Sequence, residues 1–296
     1  MSYQKISMLF LIGLALSGCE FSETSDNAQK PDEQHQLPLP ETQQTSTPKA
    51  ASKTLSLSQP VHKTKVPEKA LKPAPDFSQF PAGSARKKAF FDYMTPLIQL
   101  ANRQVMQDRK RLLQITNHFK IGPKDQQWLT QLAERYDLAP FDPTNHNDQK
   151  KLEKRVDIIP VALALAQAAN ESAWGTSRFA RKANNYFGQW CFTEGCGLVP
   201  KRRTAGSSHE VRAFEHPFYS IKSYIKNLNT HRTYQKLRQI RYQARQNNKP
   251  PSAIAMTKGL VNYSARKEVY VKALQKMIRY NNLTRFPNLK SSSQSS

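Results

Sequence analysis

The run IIPVALALAQAANESAWG, from Ile158 to Gly175, constrains this chain more than any other stretch. Between Val161 and Ala169 every residue except Gln167 is Ala, Leu or Val. A helix apolar on all sides is a buried helix, so the rest of the fold must wrap around this one. Asp157 is a candidate N-cap, and Pro160 suits a first helical turn. At the far end stand Gln167, Asn170 and Glu171, followed by Trp174 and Gly175. A carboxyl group carried by a buried helix into the company of an indole is costly as an anion. Its pKa is then expected to rise, which suits a general acid near neutral pH. The plainer alternative is a Glu that caps or salt-bridges a helix end.

The run Ala164–Gly175, ALAQAANESAWG, followed by NNYFG at Asn184–Gly188, resembles the glucosaminidase family of peptidoglycan hydrolases, glycoside hydrolase family 73. The next residues, Gln189 to Cys191, are closest to its Bax-like branch. The family pattern runs roughly AQAALESGWG and NLFG, from which Asn170, Ala173 and the pair Asn185 and Tyr186 depart. The resemblance spans about residues 86–283. It implies a mainly α (α+β) fold: a lysozyme-like helical domain with a small antiparallel β lobe inserted after the catalytic helix. It also implies that Glu171 is the catalytic acid.

The formal net charge of +23 and the 19 prolines are unusual for a compact cytosolic enzyme. So positive a field favours a polyanionic partner, although much of it could be a solvated surface. No zinc-finger spacing or RNA-recognition signature is present, so nucleic acid is not the expected partner. Lys5 precedes an apolar run, Met8 to Leu16, too short for a permanent membrane span. It ends in Leu-Ser-Gly-Cys (Leu16 to Cys19), which resembles the lipobox of bacterial lipoproteins. That resemblance implies cleavage before Cys19 and its acylation, and Glu20 in place of Asp implies the periplasmic face of the outer membrane. With Cys19 lipidated, Cys191 and Cys196 remain, and in an oxidising compartment they are expected to form a disulfide. Neither a metal site nor a cofactor is expected.

Four segments follow: a lipoprotein signal peptide over 1–18, a disordered tether over 19–76, the catalytic domain over 77–288 and a loose tail over 289–296. The tether is rich in Ser, Thr, Gln, Pro and Lys and has too few large apolar residues to offset its ordering entropy. Within the domain a long helix begins near Ser84. Thr95 and Pro96 either kink it or divide it in two. Shorter helices follow after Lys124 and over 149–156, with His146 in the loop between them. Residues 189–192, 198–201 and 210–214 read as short strands. Helices return from Ser220, and the last carries Tyr270, Leu274 and Ile278 on one face.

A glycosidase needs an acid and a second group to meet the oxocarbenium charge. Glu171 is the expected acid; Glu194, Glu210 and Glu215 are candidates for the second group, and Glu210 is preferred. A substrate N-acetyl group could replace it. Tyr263 matches a family tyrosine near the acid, though SerAlaArg follows it where the family has AlaThrAsp; a core role is the alternative. Gln167, Trp174, Asn184, Asn185, Phe187, Tyr219 and Tyr224 are the expected substrate-binding residues. The activity implied is an endo-β-N-acetylglucosaminidase acting on peptidoglycan glycan strands, membrane-bound through its lipid. A muramidase or lytic transglycosylase cutting the neighbouring bond, and a catalytically silent wall-binding lipoprotein, are the alternatives.

Overall fold

A computed structural model describes residues 71–201, 203 and 208–289. The expected signal peptide, the lipidated Cys19, the tether before residue 71 and the tail from residue 290 lie outside the described residues. Among the described residues no helix is long and apolar enough to cross a membrane.

The described residues are mainly α with one small sheet. Helix α1 (Ser84–Thr116) is followed by α2 (Pro123–Arg135), α3 (His146–Arg155), α4 (Val161–Glu171) and α5 (Arg178–Ala183). Strands β1 (Trp190–Cys191), β2 (Gly197–Leu198) and β3 (Glu210–Arg212) come next. Helices α6 (Pro217–Thr230), α7 (Gln235–Gln246), α8 (Ala253–Thr257) and α9 (Glu268–Tyr280) complete the domain, with a 3₁₀ turn at Leu283–Arg285.

The apolar run is the central helix. In α4 every residue from Val161 to Ala169 is buried, and α1, α8, α9 and the turn at Leu283–Arg285 pack around it. Pro96 sits inside α1, which stays one helix of 33 residues. Its Phe90, Met94 and Ile98 join the main core, while Leu112 and Ile115 reach a second core formed with Trp128, Leu129 and Leu132 of α2 and Leu152 of α3. His146, expected in a loop, is the first residue of α3, because the Asn145 side chain accepts from the backbone N–H groups of Asn147 and Asp148.

The start of α4 differs from expectation. Pro160, not Asp157, is the N-cap residue, and it has no side-chain acceptor. The Val161 N–H instead donates to Asn288 Oδ1 at 3.0 Å, so the end of the domain caps the central helix. Asp157 is buried in a cluster of three arginines. Arg245 binds it in bidentate fashion at 2.9 and 3.0 Å, and the Nε atoms of Arg109 and Arg241 lie 3.8 Å away. Burial pushes this carboxyl up, but the three guanidinium charges and the Arg245 hydrogen bonds outweigh it and hold the pKa below the usual carboxylate range.

Packing also reaches upstream of Phe77. Leu71 and Ala74 lie against the main core, and the Lys72 carbonyl accepts from the Tyr93 hydroxyl at 2.9 Å. The Phe77 ring is wholly buried, 5.4 Å from the Phe90 ring centroid.

The sheet has the order β1-β3-β2, antiparallel throughout, with Trp190 opposite Val211 and Leu198 opposite the same valine. Its strands are shorter than the sequence predicts. A Cβ on Gly197 would stand 2.0 Å from the Val211 carbonyl oxygen, so the β2–β3 approach admits only glycine there.

Candidate active site

The chain leaves α4 by a left-handed turn. Ala173, Trp174 and Gly175 all have positive φ, at 48°, 58° and 81°. For the first two, this backbone costs about 1–2 kcal/mol per residue. Ser172 helps to hold it: its hydroxyl donates to the Ala168 carbonyl at 2.6 Å and accepts from the Gly175 N–H at 2.8 Å. The turn leaves Glu171, half-buried, at the exposed end of a buried helix.

Trp174, three residues beyond the carboxyl, is anchored on α1. Its ring packs edge-on to Phe90 and Phe91 of α1, with centroids at 5.7 and 5.5 Å, and Lys87 Nζ lies over it. Hydrogen-bond donors meet the Glu171 carboxylate. Glu171 Oε1 accepts from the Tyr270 hydroxyl of α9 at 2.8 Å and from Asn170 Nδ2 at 3.1 Å. Tyr270 in turn accepts from Gln167 Nε2 at 2.9 Å, and Gln167 Oε1 accepts from the Tyr224 hydroxyl at 2.7 Å.

Four tyrosines surround the carboxylate. Tyr263 stacks on Tyr270, with ring centroids 5.6 Å apart and planes 3° from parallel, and its hydroxyl donates to the Phe187 carbonyl at 3.1 Å. Tyr234 lies 6.0 Å from Tyr263 by ring centroids. Burial raises the hydroxyl pKa of Tyr224, Tyr234, Tyr263 and Tyr270 well above the ordinary value, and the charge of Glu171 raises each further. All four therefore stay protonated in any physiological range, and all four lie within the electrostatic reach of one carboxylate.

The β lobe is braced from within by a disulfide and by a buried carboxylate that bonds to backbone. Cys191 and Cys196 form a disulfide with Cα atoms 6.2 Å apart. Glu210 is buried beneath the turn they close; its Oε1 accepts from Gly195 N–H at 3.1 Å and its Oε2 from Gly197 N–H at 2.7 Å. These three residues approach within 4.8 Å of one another, but with both sulfurs oxidised they offer no thiolates to a metal.

Two comparisons bear on this arrangement. A family model, described as mannosyl-glycoprotein endo-beta-N-acetylglucosaminidase, matches residues 146–283. The chain is also 33% identical over 196 residues to the protein bax of Escherichia coli (strain K12), a match covering 66% of this chain and 70% of that one. The chain belongs to the glucosaminidase family. It falls in the Bax-like branch and is at that level a glycoside hydrolase with a peptidoglycan-type substrate. No solved structure matches it.

Within this glucosaminidase the expected site residues fall into three groups. Glu171, Tyr263, Gln167 and Tyr224 come together around the carboxylate. Gln167 and Tyr224 are 0% and 1% exposed, so neither can touch a saccharide directly as the sequence suggests; they lie beneath the site. Phe187, 1% exposed, stacks on Tyr224 at 3.9 Å and joins them there.

The second group ties the lobe to the helices. Asn184, at the left-handed end of α5, donates through Nδ2 to the carbonyls of Phe214 and Glu215 at 2.9 and 3.1 Å. Asn185 is buried and donates to the carbonyls of Gln189 and Arg212, while its Oδ1 accepts from Phe187 and Gln189 N–H groups. Their amide groups, expected to bind substrate, are engaged by backbone. Glu210 belongs here too, since both its oxygens hold the disulfide turn.

The third group stands apart. Tyr219 is exposed and packs edge-on to Phe218. Trp174 is half-buried and packs against the core from its edge. Tyr270 and Tyr234, by contrast, were not predicted as site residues. The available signal was chemical: a buried helix face that uses Tyr where Phe would fill the space is expected to have a partner for the hydroxyl.

Proposed function

We propose that the protein is an endo-β-N-acetylglucosaminidase that cleaves peptidoglycan glycan strands, with Glu171 as general acid. The observation that carries this reading is the Glu171 carboxylate at the open end of a buried helix, held by the Tyr270 hydroxyl at 2.8 Å. In this scheme Glu171 donates its proton to the glycosidic oxygen as the bond to the anomeric carbon breaks. Tyr270 then stabilises the carboxylate left behind. Glu210, the preferred second carboxylate, is engaged by two backbone N–H groups and is poorly placed to act as nucleophile. This favours the substrate-assisted route, in which the N-acetyl oxygen of the sugar attacks the anomeric carbon and water later opens the cyclic intermediate.

Mass spectrometry of digested sacculi tests the assignment. Reducing-end N-acetylglucosamine is expected. Anhydromuramic ends would instead assign a lytic transglycosylase, reducing-end N-acetylmuramic acid a muramidase, and intact strands a binding protein. Glu171→Gln keeps the shape and removes the transferable proton. Product formation should fall by about 10²- to 10⁴-fold, the usual share of acid–base catalysis, while binding to sacculi persists. A Glu171→Gln protein digesting at the wild-type rate would remove the basis of the mechanism.

The address belongs to the same proposal. A lipid on Cys19 would hold the enzyme at the outer membrane, and the net charge of +23 would favour an anionic wall. Cys19→Ala should release the protein from membranes or leave it unprocessed; normal processing and unchanged fractionation would refute the anchor.

A further inference from the structure

The bonds beneath Glu171 all run in one direction. The Tyr224 hydroxyl donates to Gln167 Oε1 at 2.7 Å, Gln167 Nε2 donates to the Tyr270 oxygen at 2.9 Å, and Tyr270 donates to Glu171 Oε1 at 2.8 Å. A carboxamide has one accepting end and one donating end. Because the acceptor end of Gln167 is taken by Tyr224, its NH₂ must face Tyr270. Tyr270 accepts that N–H and has its single proton left for Glu171.

The parts are held in place by stacking. Phe187 lies on Tyr224 at 3.9 Å with planes 9° apart, and Tyr263 lies on Tyr270 while its own hydroxyl binds the Phe187 carbonyl. The Tyr224 and Gln167 side chains are sealed from solvent, so neither is a ligand for substrate.

We infer that Tyr224 and Gln167 are positioning residues that orient the Tyr270 hydroxyl toward Glu171, so that a donor is in place for the carboxylate as its proton departs. The inference rests on Glu171 being the general acid. Donation to the charged form makes Glu171 a stronger acid, and the bond strengthens as negative charge develops in the transition state. Since burial and the charge of Glu171 keep Tyr224 and Tyr270 protonated, the direction of the chain is the same at every working pH.

The test is the pH dependence of kcat and KM on soluble, peptide-free glycan. Tyr224→Phe removes one oxygen and keeps the ring stack. The Gln167 amide can then turn over and accept from Tyr270, which takes the donor from Glu171. The acid must be protonated to act, so activity is lost as pH rises through its pKa. Raising that pKa moves the alkaline limb of kcat to higher pH, by about half to one unit, or three- to tenfold in the ionisation constant. The plateau kcat should fall several-fold while KM is unchanged. Gln167→Met offers Tyr270 no rival acceptor, so its limb should move less than that of Tyr224→Phe. The double variant should shift the limb no further than the larger single change, since both act through one chain.

If the truncated variants fold poorly, 3-fluorotyrosine at position 224 makes a stronger donor without loss of volume and should move the limb to lower pH. A lowered kcat with an unmoved limb in all of these proteins would overturn the inference and leave Tyr224 and Gln167 as packing. An active Glu171→Gln would instead show that the underlying assignment of the acid is wrong, so the two failures are distinguishable.

Discussion

Replacing Asp157 by Asn keeps the size of the side chain and removes the anion from a site that is 2% exposed. Three guanidinium groups lose their shared partner, but not equally. Arg109 retains Glu153 Oε1 at 3.1 Å together with the Glu153 and Val156 carbonyls. Arg241 retains the carbonyls of Lys154, Asp157 and Ile158 and the Asn229 amide oxygen. Arg245 keeps only one neutral acceptor, the amide oxygen, and its other N–H then faces an amide NH₂. Breaking a buried ion pair from one side costs about 3–5 kcal/mol, and the surviving acceptors place this case near 3. A domain of this size loses about 2–4 °C of Tm per kcal/mol, so a fall of roughly 6–12 °C is expected at pH 7. The folded-state pKa of Asp157 is lowered, so its contribution is complete above the unfolded value of about 4 and disappears as pH falls through the lower folded value. The gap in Tm between wild type and Asp157→Asn should therefore close in acid. Thermal melts followed by circular dichroism at pH 7 and at successively lower pH measure both effects. A loss below 2 °C at pH 7, or a gap that does not narrow, would show that the arginines are sufficiently served by carbonyls and that the anion is dispensable.

Three smaller changes test the frame around the acid. Gly175→Ala would set a Cβ 2.2 Å from the Phe77 ring at a φ of +81°; overpacking of this kind costs about 1–3 kcal/mol, and urea unfolding with a loss below that range would contradict the close packing of Phe77. Glu210→Gln leaves one of two part-buried N–H groups facing a donor, at the lower end of about 1–3 kcal/mol. Amide exchange at Gly195 and Gly197 should speed up and kcat should fall less than in Glu171→Gln; loss of all activity with unchanged exchange would instead place Glu210 in the chemistry. The disulfide closes so short a loop that chain entropy contributes on the order of 2 kcal/mol at most. Cys191→Ser with Cys196→Ser should therefore lower activity more than Tm, and the reverse pattern would show that the bond serves stability alone.

The central helix was legible in the sequence because its composition permits only one environment: a run of Ala, Leu and Val with no polar face has to be buried whatever surrounds it. Glu171 follows from the same run, since covalent continuity places it at the helix end, and the cysteines five positions apart were close enough to pair without knowledge of the fold. What the sequence could not decide is which side chains meet once distant segments pack. Asp157 resembles an N-cap from its neighbours, but Arg109, Arg241 and Arg245 arrive from two other helices and make it a buried anion. Glu210 resembles a free carboxylate until a turn thirteen to fifteen residues earlier presents its N–H groups. Tyr270, 99 residues beyond Glu171, reads as one more core position on α9. Only the packing of α9 on α4 brings its hydroxyl to the carboxylate, because hydrogen bonds are set by separation in space, which local patterning does not encode.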